Sequence, residues 1–167
     1  IDNIIDNMNS HNSTRKRIEQ ENFDLVDAER YNNRNVIFIF NKEFHVGIIG
    51  IIAAKLSQIS NKPCFIVTES QNLLKCSIRS QNNIKINKTI NKLIENKLII
   101  SGGGHDEAGG FSAKKECLSD IEEFIHKEFE KLDTKDYSYF DAFTTFPKKN
   151  SSIVSDLKSL EPFGKSN

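Results

Sequence analysis

Apolar residues along the chain fall into short continuous runs and into helical stripes, and the two patterns alternate. Residues 35–40 form an unbroken β-branched and aromatic run, which is typical of a strand buried on both faces. Residues 46–58 follow as an apolar helix, and Pro63 introduces a second buried strand over 64–67. A strand, a helix and a strand at this spacing predict a βαβ unit whose two strands are parallel.

The rest of the pattern completes an α/β fold. Residues 74–80 and 108–113 are predicted strands, and residues 88–97 and 117–132 are predicted amphipathic helices. Residues 1–30 have a patchy helical period and are predicted to form a linker helix. We therefore expect a mixed, partly parallel sheet with flanking helices. The predicted organisation is a linker helix over 1–30, a domain over 31–132, and the start of another domain over 133–167.

Composition narrows the function classes. The 23 basic and 23 acidic side chains of the 167 residues give a net charge of zero, which excludes a uniformly basic nucleic-acid coat. Residues 61–105, however, hold seven basic and two acidic side chains. Three cysteines without a CxxC pair exclude a zinc knuckle and a disulfide framework, and they favour a reducing compartment, the cytoplasm. The longest apolar run, 46–54, is too short to span a bilayer, so no membrane partner is expected.

The sharpest motif is the glycine phrase over residues 101–110. Glycines permit positive φ, and successive free N–H groups in such a turn form a concave nest for a phosphate oxygen. Gly102, Gly103 and Gly104 are the predicted nest, and His105 adds a side-chain donor at its lip. The alternative is a tight connection with an exposed histidine. Adjacent residues of the kind found at 105–107 do not easily converge on one ion, so no metal site is predicted.

Two further phrases carry candidate chemistry. Strand alternation places Ser77 and Arg79 on one face, where a hydroxyl beside a guanidinium fork can clamp a phosphate. The alternative is an ordinary polar strand face. His45 lies where the helix from Val46 is predicted to begin, and exposed N–H groups there favour an anion. A capping or core histidine is the alternative.

Together these phrases resemble one family over nearly the whole chain: the RecJ single-stranded-DNA exonucleases, within the DHH phosphoesterases. Residues 44–51 are similar to the family's (W/F)-H-x-G-V-x-G-I, and residues 77–80 match its S-x-R-S. Residues 102–110 match G-G-G-H-x-x-A-x-G, the signature of the DHH-associated domain. Residues 160–164 resemble the L-E-P-F-G phrase at the start of RecJ's OB-like domain.

The resemblance implies a division of labour. In the family, an N-terminal DHH domain holds Mn²⁺ or Mg²⁺ ions and activates water for attack on a phosphodiester bond. The associated domain binds substrate phosphates across a cleft. The three glycines 102–104 would cradle the phosphate, and His105 would be catalytic by stabilising charge in the transition state. Ser77 and Arg79 would hold the 5′ end of the strand, Ser80 would bind substrate phosphate, and His45 would line the cleft.

The sequence is therefore interpreted as the substrate-binding piece of a 5′→3′ single-stranded-DNA exonuclease of DNA repair and recombination. It opens at Ile1 and has no Asp-rich metal motif, so the DHH domain and its metal ions are expected elsewhere in the same polypeptide. Two alternatives stay open. One is a DHH phosphoesterase of nano-oligonucleotides or cyclic dinucleotides, and the other is a non-catalytic nucleic-acid-binding module.

Overall fold

A computed structural model describes residues 2–24, 26, 33–81, 84–130 and 159. Their core is a five-stranded sheet in the order β1-β2-β3-β5-β4. The strands are β1 (Ile37–Phe40), β2 (Cys64–Ser70), β3 (Leu73–Arg79), β4 (Ser101–Gly104) and β5 (Ala108–Lys114). The helices are α1 (Asp2–Phe23), α2 (Ile49–Ser60), α3 (Ile86–Glu95) and α4 (Leu118–Phe129), and a 3-10 turn (Lys115–Cys117) precedes α4.

The predicted βαβ unit is confirmed. Strands β1 and β2 are parallel, with Ile37 opposite Cys64, and α2 connects them. The other pairings are antiparallel, so the sheet is mixed, as predicted. Strands β2 and β3 form a hairpin through Gln71 and Asn72, which both have positive φ. Two such residues make the turn that fits the twist of paired strands.

Two apolar clusters pack on opposite faces of the sheet. Alternate side chains of β1 and β2, such as Ile39 and Ile66, pack with α2 on one face. Their neighbours, such as Phe38 and Phe65, pack with α3 and α4 on the other. The two parallel strands are thus buried on both sides, which accounts for their unbroken apolar runs. On the α2 side, the cluster includes no described residue of β3, β4 or β5.

Several helix bounds differ from the sequence prediction for local reasons. Helix α2 begins at Ile49 and not at Val46, because the Gly47 N–H donates to His45 Nδ1 and the Ile48 N–H donates to the His45 carbonyl. Helix α3 covers Ile86–Glu95 and not 88–97. Lys97 adopts a left-handed conformation and the Leu98 N–H donates to the Leu93 carbonyl, which is a common helix ending.

The turn conformation predicted for the glycine phrase is wrong, and the phosphate contact predicted for it stays a prediction. No glycine of the described residues has positive φ. The glycine phrase instead forms β4 and the start of β5, with Gly103 opposite Gly110 and Gly104 opposite Gly109. The His105 N–H donates to the Ala108 carbonyl at 2.8 Å and so closes the hairpin. Glycine-rich segments have low strand propensity, and this pairing depends on neighbours that the local sequence does not reveal.

Helix α1 confirms the predicted helix over part of residues 1–30. Two of its basic side chains are engaged within the helix, because Arg15 pairs with Glu19 and Arg17 pairs with Glu21. The helix packs on the α2 cluster through Ile18 and Phe23, and the ammonium of Lys55 lies 4.1 Å from the centre of the Phe23 ring.

The chain divides into two compact units, residues 1–135 and residues 136–167. The predicted OB-like segment over 133–167 lies outside the described residues, apart from Ser159. None of the helices in the described ranges has the length and apolar character that a membrane span requires.

Candidate functional site

One half of the sheet leaves a polar surface on the side where α2 packs. Directly opposed residues of neighbouring strands share a face, and so do alternate residues along a strand. Ser77 is opposite Gly110, which is opposite Gly103, and this row shares its face with Ile66 of the α2 cluster. We call this surface the open face. Its positions are Lys75, Ser77 and Arg79 of β3, Ala108, Gly110 and Ser112 of β5, and Ser101 and Gly103 of β4.

The predicted pairing of Ser77 with Arg79 is present on the open face. Arg79 Nη1 donates to Ser77 Oγ at 3.4 Å and to the Ile78 carbonyl at 2.8 Å. Both side chains reach the first turn of α2, where a Cβ on Gly50 would lie 3.2 Å from Ser77 Oγ and 3.6 Å from Arg79 Nη2. The first N–H groups of a helix have no partners within it, and its N-terminus favours anions. Gly50 therefore allows a hydroxyl and a guanidinium to approach the helix N-terminus closely.

The glycines of the phrase differ in what surrounds them. A Cβ on Gly102 would lie 2.9 Å from Ile90 Cγ2, and one on Gly104 would overlap the Ala108 carbonyl oxygen. A Cβ on Gly109 would lie 2.6 Å from Ile90 Cδ1, and one on Gly110 would lie 2.7 Å from the Cys76 carbonyl oxygen. These four positions are glycine because the fold has no room for a side chain. Gly103 is the exception, since nothing lies within 4 Å of its Cβ position.

His105 follows β4 and extends its pairing. Its N–H donates to the carbonyl of Ala108, and Ala108 is opposite Arg79 in β3. His105 therefore belongs to the row of Arg79, two strands away, or about 10 Å between Cα atoms. The residue is exposed. The sheet thus brings two predicted site residues, Arg79 and His105, to one face.

His45 lies in the turn before α2, the helix that packs on the same side of the sheet as the open face. It lies between Phe44, whose carbonyl accepts a 2.7 Å hydrogen bond from the Thr68 hydroxyl, and Gly50, which approaches Ser77. Its Nδ1 accepts the Gly47 N–H at 3.1 Å. An imidazole that accepts at Nδ1 carries its proton at Nε2 when neutral, so the exposed ring presents a donor.

Ser80 lies apart from this arrangement. The residue is 2% exposed, its hydroxyl donates to the Ile84 carbonyl at 3.1 Å, and its N–H donates to the Glu107 carbonyl. These bonds fasten the segment after β3 to the loop that follows His105. The structure gives Ser80 a role in holding the loop, and its predicted contact with phosphate stays a prediction.

The sequence patterns do not predict a role for three further residues of the open face, which are Lys75, Ser101 and Ser112. Lys75 Nζ donates to Ser112 Oγ at 2.9 Å across β3 and β5. The signal that would have found Lys75 is the same alternation that pairs Ser77 with Arg79, continued by one step. Ser101 and Ser112 depend on the β4–β5 register, which the sequence pattern does not supply.

The described residues do not fit a divalent metal site. No group of three His, Cys, Asp or Glu side chains among them converges on one point. They also present no activated thiol at two of the cysteines, because burial raises the pKa of Cys64 to about 12 and the pKa of Cys76 well above its ordinary value. The open face can bind an anion through the N–H and O–H donors of its lysine, arginine and serine side chains.

Comparisons with known proteins agree with this fold. The DHHA1 domain family matches residues 33–131. The crystal structure of RecJ in complex with Mn²⁺ from Thermus thermophilus superposes with a TM-score of 0.74 at 21% identity, covering 93% of this chain and 23% of that one. The exonuclease RecJ bound to manganese superposes with a TM-score of 0.62 at 21% identity, covering 72% of this chain and 30% of that one.

A third matching structure comes from a different kind of enzyme. The C-Ala domain of alanyl-tRNA synthetase from Aquifex aeolicus has a TM-score of 0.51 at 13% identity, and the match covers 58% of this chain and 92% of that domain. No curated protein sequence matches the chain. At these identities the superpositions establish the fold, and this chain spans less than a third of the two RecJ structures. The family match covers more than half of the sequence, and the chain belongs to the DHHA1 domain family.

Proposed function

We propose that this chain is the substrate-binding part of a RecJ-like, metal-dependent exonuclease that hydrolyses single-stranded DNA from its 5′ end, in DNA repair or recombination in the cytoplasm. The observation that carries the proposal is the open face, where Ser77 and Arg79 meet the first turn of α2 and share the sheet with Gly103 and His105. The motifs that resemble RecJ and the DHHA1 family match support the same assignment.

In this proposal Arg79 and Ser77 bind the 5′ phosphate of the strand. The guanidinium presents several N–H donors in a fixed fork, which suits phosphate oxygens. Its Nη1 already contacts Ser77 Oγ and the Ile78 carbonyl, and these bonds orient the fork before a ligand arrives. The N-terminus of α2 adds a partial positive charge at Gly50.

Gly103 and His105 are proposed to hold the phosphodiester that is cleaved. The backbone at Gly103 is bare on the open face, so a phosphate can approach it closely. His105 lies two residues further on the same face, where a donor stabilises charge that develops on the phosphate oxygens. His45 contributes a donor from the turn before α2.

The metal ions belong to another part of the enzyme in this proposal. Two of the matching RecJ structures contain manganese, and the described residues of this chain do not fit such a site. A DHH domain in the same polypeptide is proposed to hold Mn²⁺ or Mg²⁺, which would supply the activated water. The residues of this chain bind and orient the strand.

The test is Arg79→Ala in the full-length polypeptide. Loss of one phosphate contact should weaken binding of a 5′-phosphorylated single strand roughly tenfold. The slope of log affinity against log salt should become shallower by about 0.7. Binding titrations at several salt concentrations measure both quantities. Arg17→Ala is the matched control, because Arg17 is exposed on α1 and paired with Glu21.

Unchanged affinity and slope in Arg79→Ala would contradict the assigned contact. Hydrolysis assays on long single strands and on dinucleotides separate the proposed exonuclease from a nano-oligonucleotide phosphoesterase. Single-strand binding without turnover by the intact, metal-loaded polypeptide would instead favour a non-catalytic module.

A further inference from the structure

Lys75 is a second cation on the open face, and it has no role in the function proposed above. It lies two residues before Ser77 and is half-buried, and its Nζ is held by the Ser112 hydroxyl at 2.9 Å. Within the described residues, no carboxylate lies within ion-pair distance of its Nζ. An ammonium has three donors, so one bond to a neutral hydroxyl leaves capacity for an anion.

The β4 strand begins with a bulge that adds to this corner of the open face. The Ile100 N–H donates to the Ser112 carbonyl, and Ser101 is also opposite Ser112. Two residues opposite one is the pattern of a β-bulge. The residues that flank the bulge along the chain, Ile99 and Gly102, both face the α3 side of the sheet. Ile99 is buried in the core there, and Gly102 faces Ile90. Alternation therefore places both Ile100 and Ser101 on the open face, and Ile100 is 55% exposed.

The two serines to which the cations bond are separated by a distance that suits one polymer. Arg79 is bonded to Ser77 Oγ, and Lys75 is bonded to Ser112 Oγ. Ser112 lies one strand across from Ser77 and two residues along, which corresponds to about 8 Å. A single-stranded backbone that follows the sheet can place a different phosphate at each cation.

We infer that Lys75, Ser112 and Ser101 form a second phosphate subsite, which binds an internal phosphate of the strand while Ile100 packs against the attached nucleoside. This inference rests on the proposed function, since it needs a polymer with several phosphates. It explains why a half-buried lysine is held at the centre of a sheet face that carries no acidic side chain at the strand positions named above.

Lys75→Gln in the full-length polypeptide tests the phosphate contact, because glutamine removes the charge and keeps a group that bonds Ser112. The probes are a 5′-phosphorylated single strand and a series in which one phosphate at a time is a neutral methylphosphonate. Lys75→Gln should lower affinity for the unmodified strand about tenfold and reduce the salt slope by about 0.7. For the wild type, a methylphosphonate at one position of the strand should lower affinity by the same factor. On the strand modified at that position, Lys75→Gln should bind as tightly as the wild type.

Lys115→Gln is the matched control, because Lys115 lies just past the C-terminal end of β5, outside the strand positions of the open face, and pairs with Glu69. It should leave affinity unchanged. If the wild type binds and cleaves single strands but Lys75→Gln matches it at every position, the subsite is wrong and the proposed function stands. If the wild type neither binds nor cleaves single strands, the proposed function fails, and the subsite fails with it.

Ile100→Ala tests the apolar part of the subsite. Losing contact with an uncharged nucleoside should lower affinity by the same factor at every salt concentration and leave the salt slope unchanged. Because Ile100 is more than half exposed, the substitution does not disturb the core. Full affinity in Ile100→Ala would remove the nucleoside contact from the subsite.

Discussion

Single residues of the glycine phrase have separate physical reasons for being glycine. Gly104 and Gly110 have backbone oxygens where a Cβ would lie, and Gly102 and Gly109 have the side chain of Ile90. Gly103 has open space. A sequence motif of five glycines therefore combines four packing requirements with one position that packing does not explain, and that position lies on the open face.

Gly103→Ala and Gly104→Ala should consequently differ. Gly104→Ala forces a backbone shift and should cost about 1–3 kcal/mol or more of unfolding free energy. Gly103→Ala should leave stability within about 0.5 kcal/mol and weaken substrate binding, because its methyl group would occupy the approach to the backbone. Thermal or denaturant unfolding and a binding titration measure the two effects. Wild-type binding by a stable Gly103→Ala would place the substrate elsewhere.

His105→Ala should lower turnover more than it lowers affinity. The exposed imidazole is proposed to act on charge that develops in the transition state, and such an interaction reduces kcat when it is lost. Steady-state kinetics on a single-stranded substrate separate kcat from KM, and His11→Ala on α1 serves as the exposed control. A rise in KM with kcat preserved would make His105 a positioning contact.

Elements with strong local patterns were predictable, and elements that depend on distant partners were not. The parallel pair β1 and β2 follows from apolar runs such as residues 64–67, which only a doubly covered strand needs. The predicted proximity of Ser77 and Arg79 required only the period of a strand. Three of the four residues of β4 are glycine, so the strand has no side-chain pattern, and its pairing with β5 is set by tertiary packing on Ile90. The second phosphate subsite depends on that register.

The junction of α4 with the residues before β1 should respond to pH. Arg34 Nη1 lies 2.8 Å from His126 Nε2, and Asn35 donates to the Glu130 carbonyl beside a cleft of about 580 Å³. Burial and the neighbouring Arg34 hold the pKa of His126 below its ordinary value of 6.5, although Glu122, 3.6 Å away, opposes this. The neutral imidazole is the form that accepts from Arg34.

Protonation of His126 should therefore destabilise the fold. The depressed pKa contributes stability that is present above pH 6.5 and is lost as pH falls from 6.5 through the lower pKa of the folded protein. Unfolding free energies between about pH 5 and pH 8 should show wild type losing more stability on acidification than His126→Gln, which accepts from Arg34 without titrating. The other charged groups lining the cleft are Glu123, Lys127 and Glu130. Equal pH dependence of the two proteins would contradict this assignment.

At the scale of the whole molecule, the sheet divides into two parts with different surroundings. Strands β1 and β2 are covered on both faces and form the doubly buried half. Strands β3, β5 and β4 have α3 and α4 on one face and present polar groups on the other. The zero net charge conceals this division, because the excess of basic residues in 61–105 includes both Lys75 and Arg79. The local excess of basic residues, and not the net charge of the whole chain, corresponds to the open face.

The bare edge formed by β4 also affects how the protein behaves at high concentration. An edge strand has unpaired N–H and C=O groups that can recruit a strand from another molecule. Ser101–Gly104 is four residues long and exposed, and three of the four are glycine. Such a segment offers an incoming chain few side chains with which to build the dry interface that stabilises aggregated sheets. The glycines at which a phosphate is proposed to approach this strand therefore also make it a poor template for aggregation.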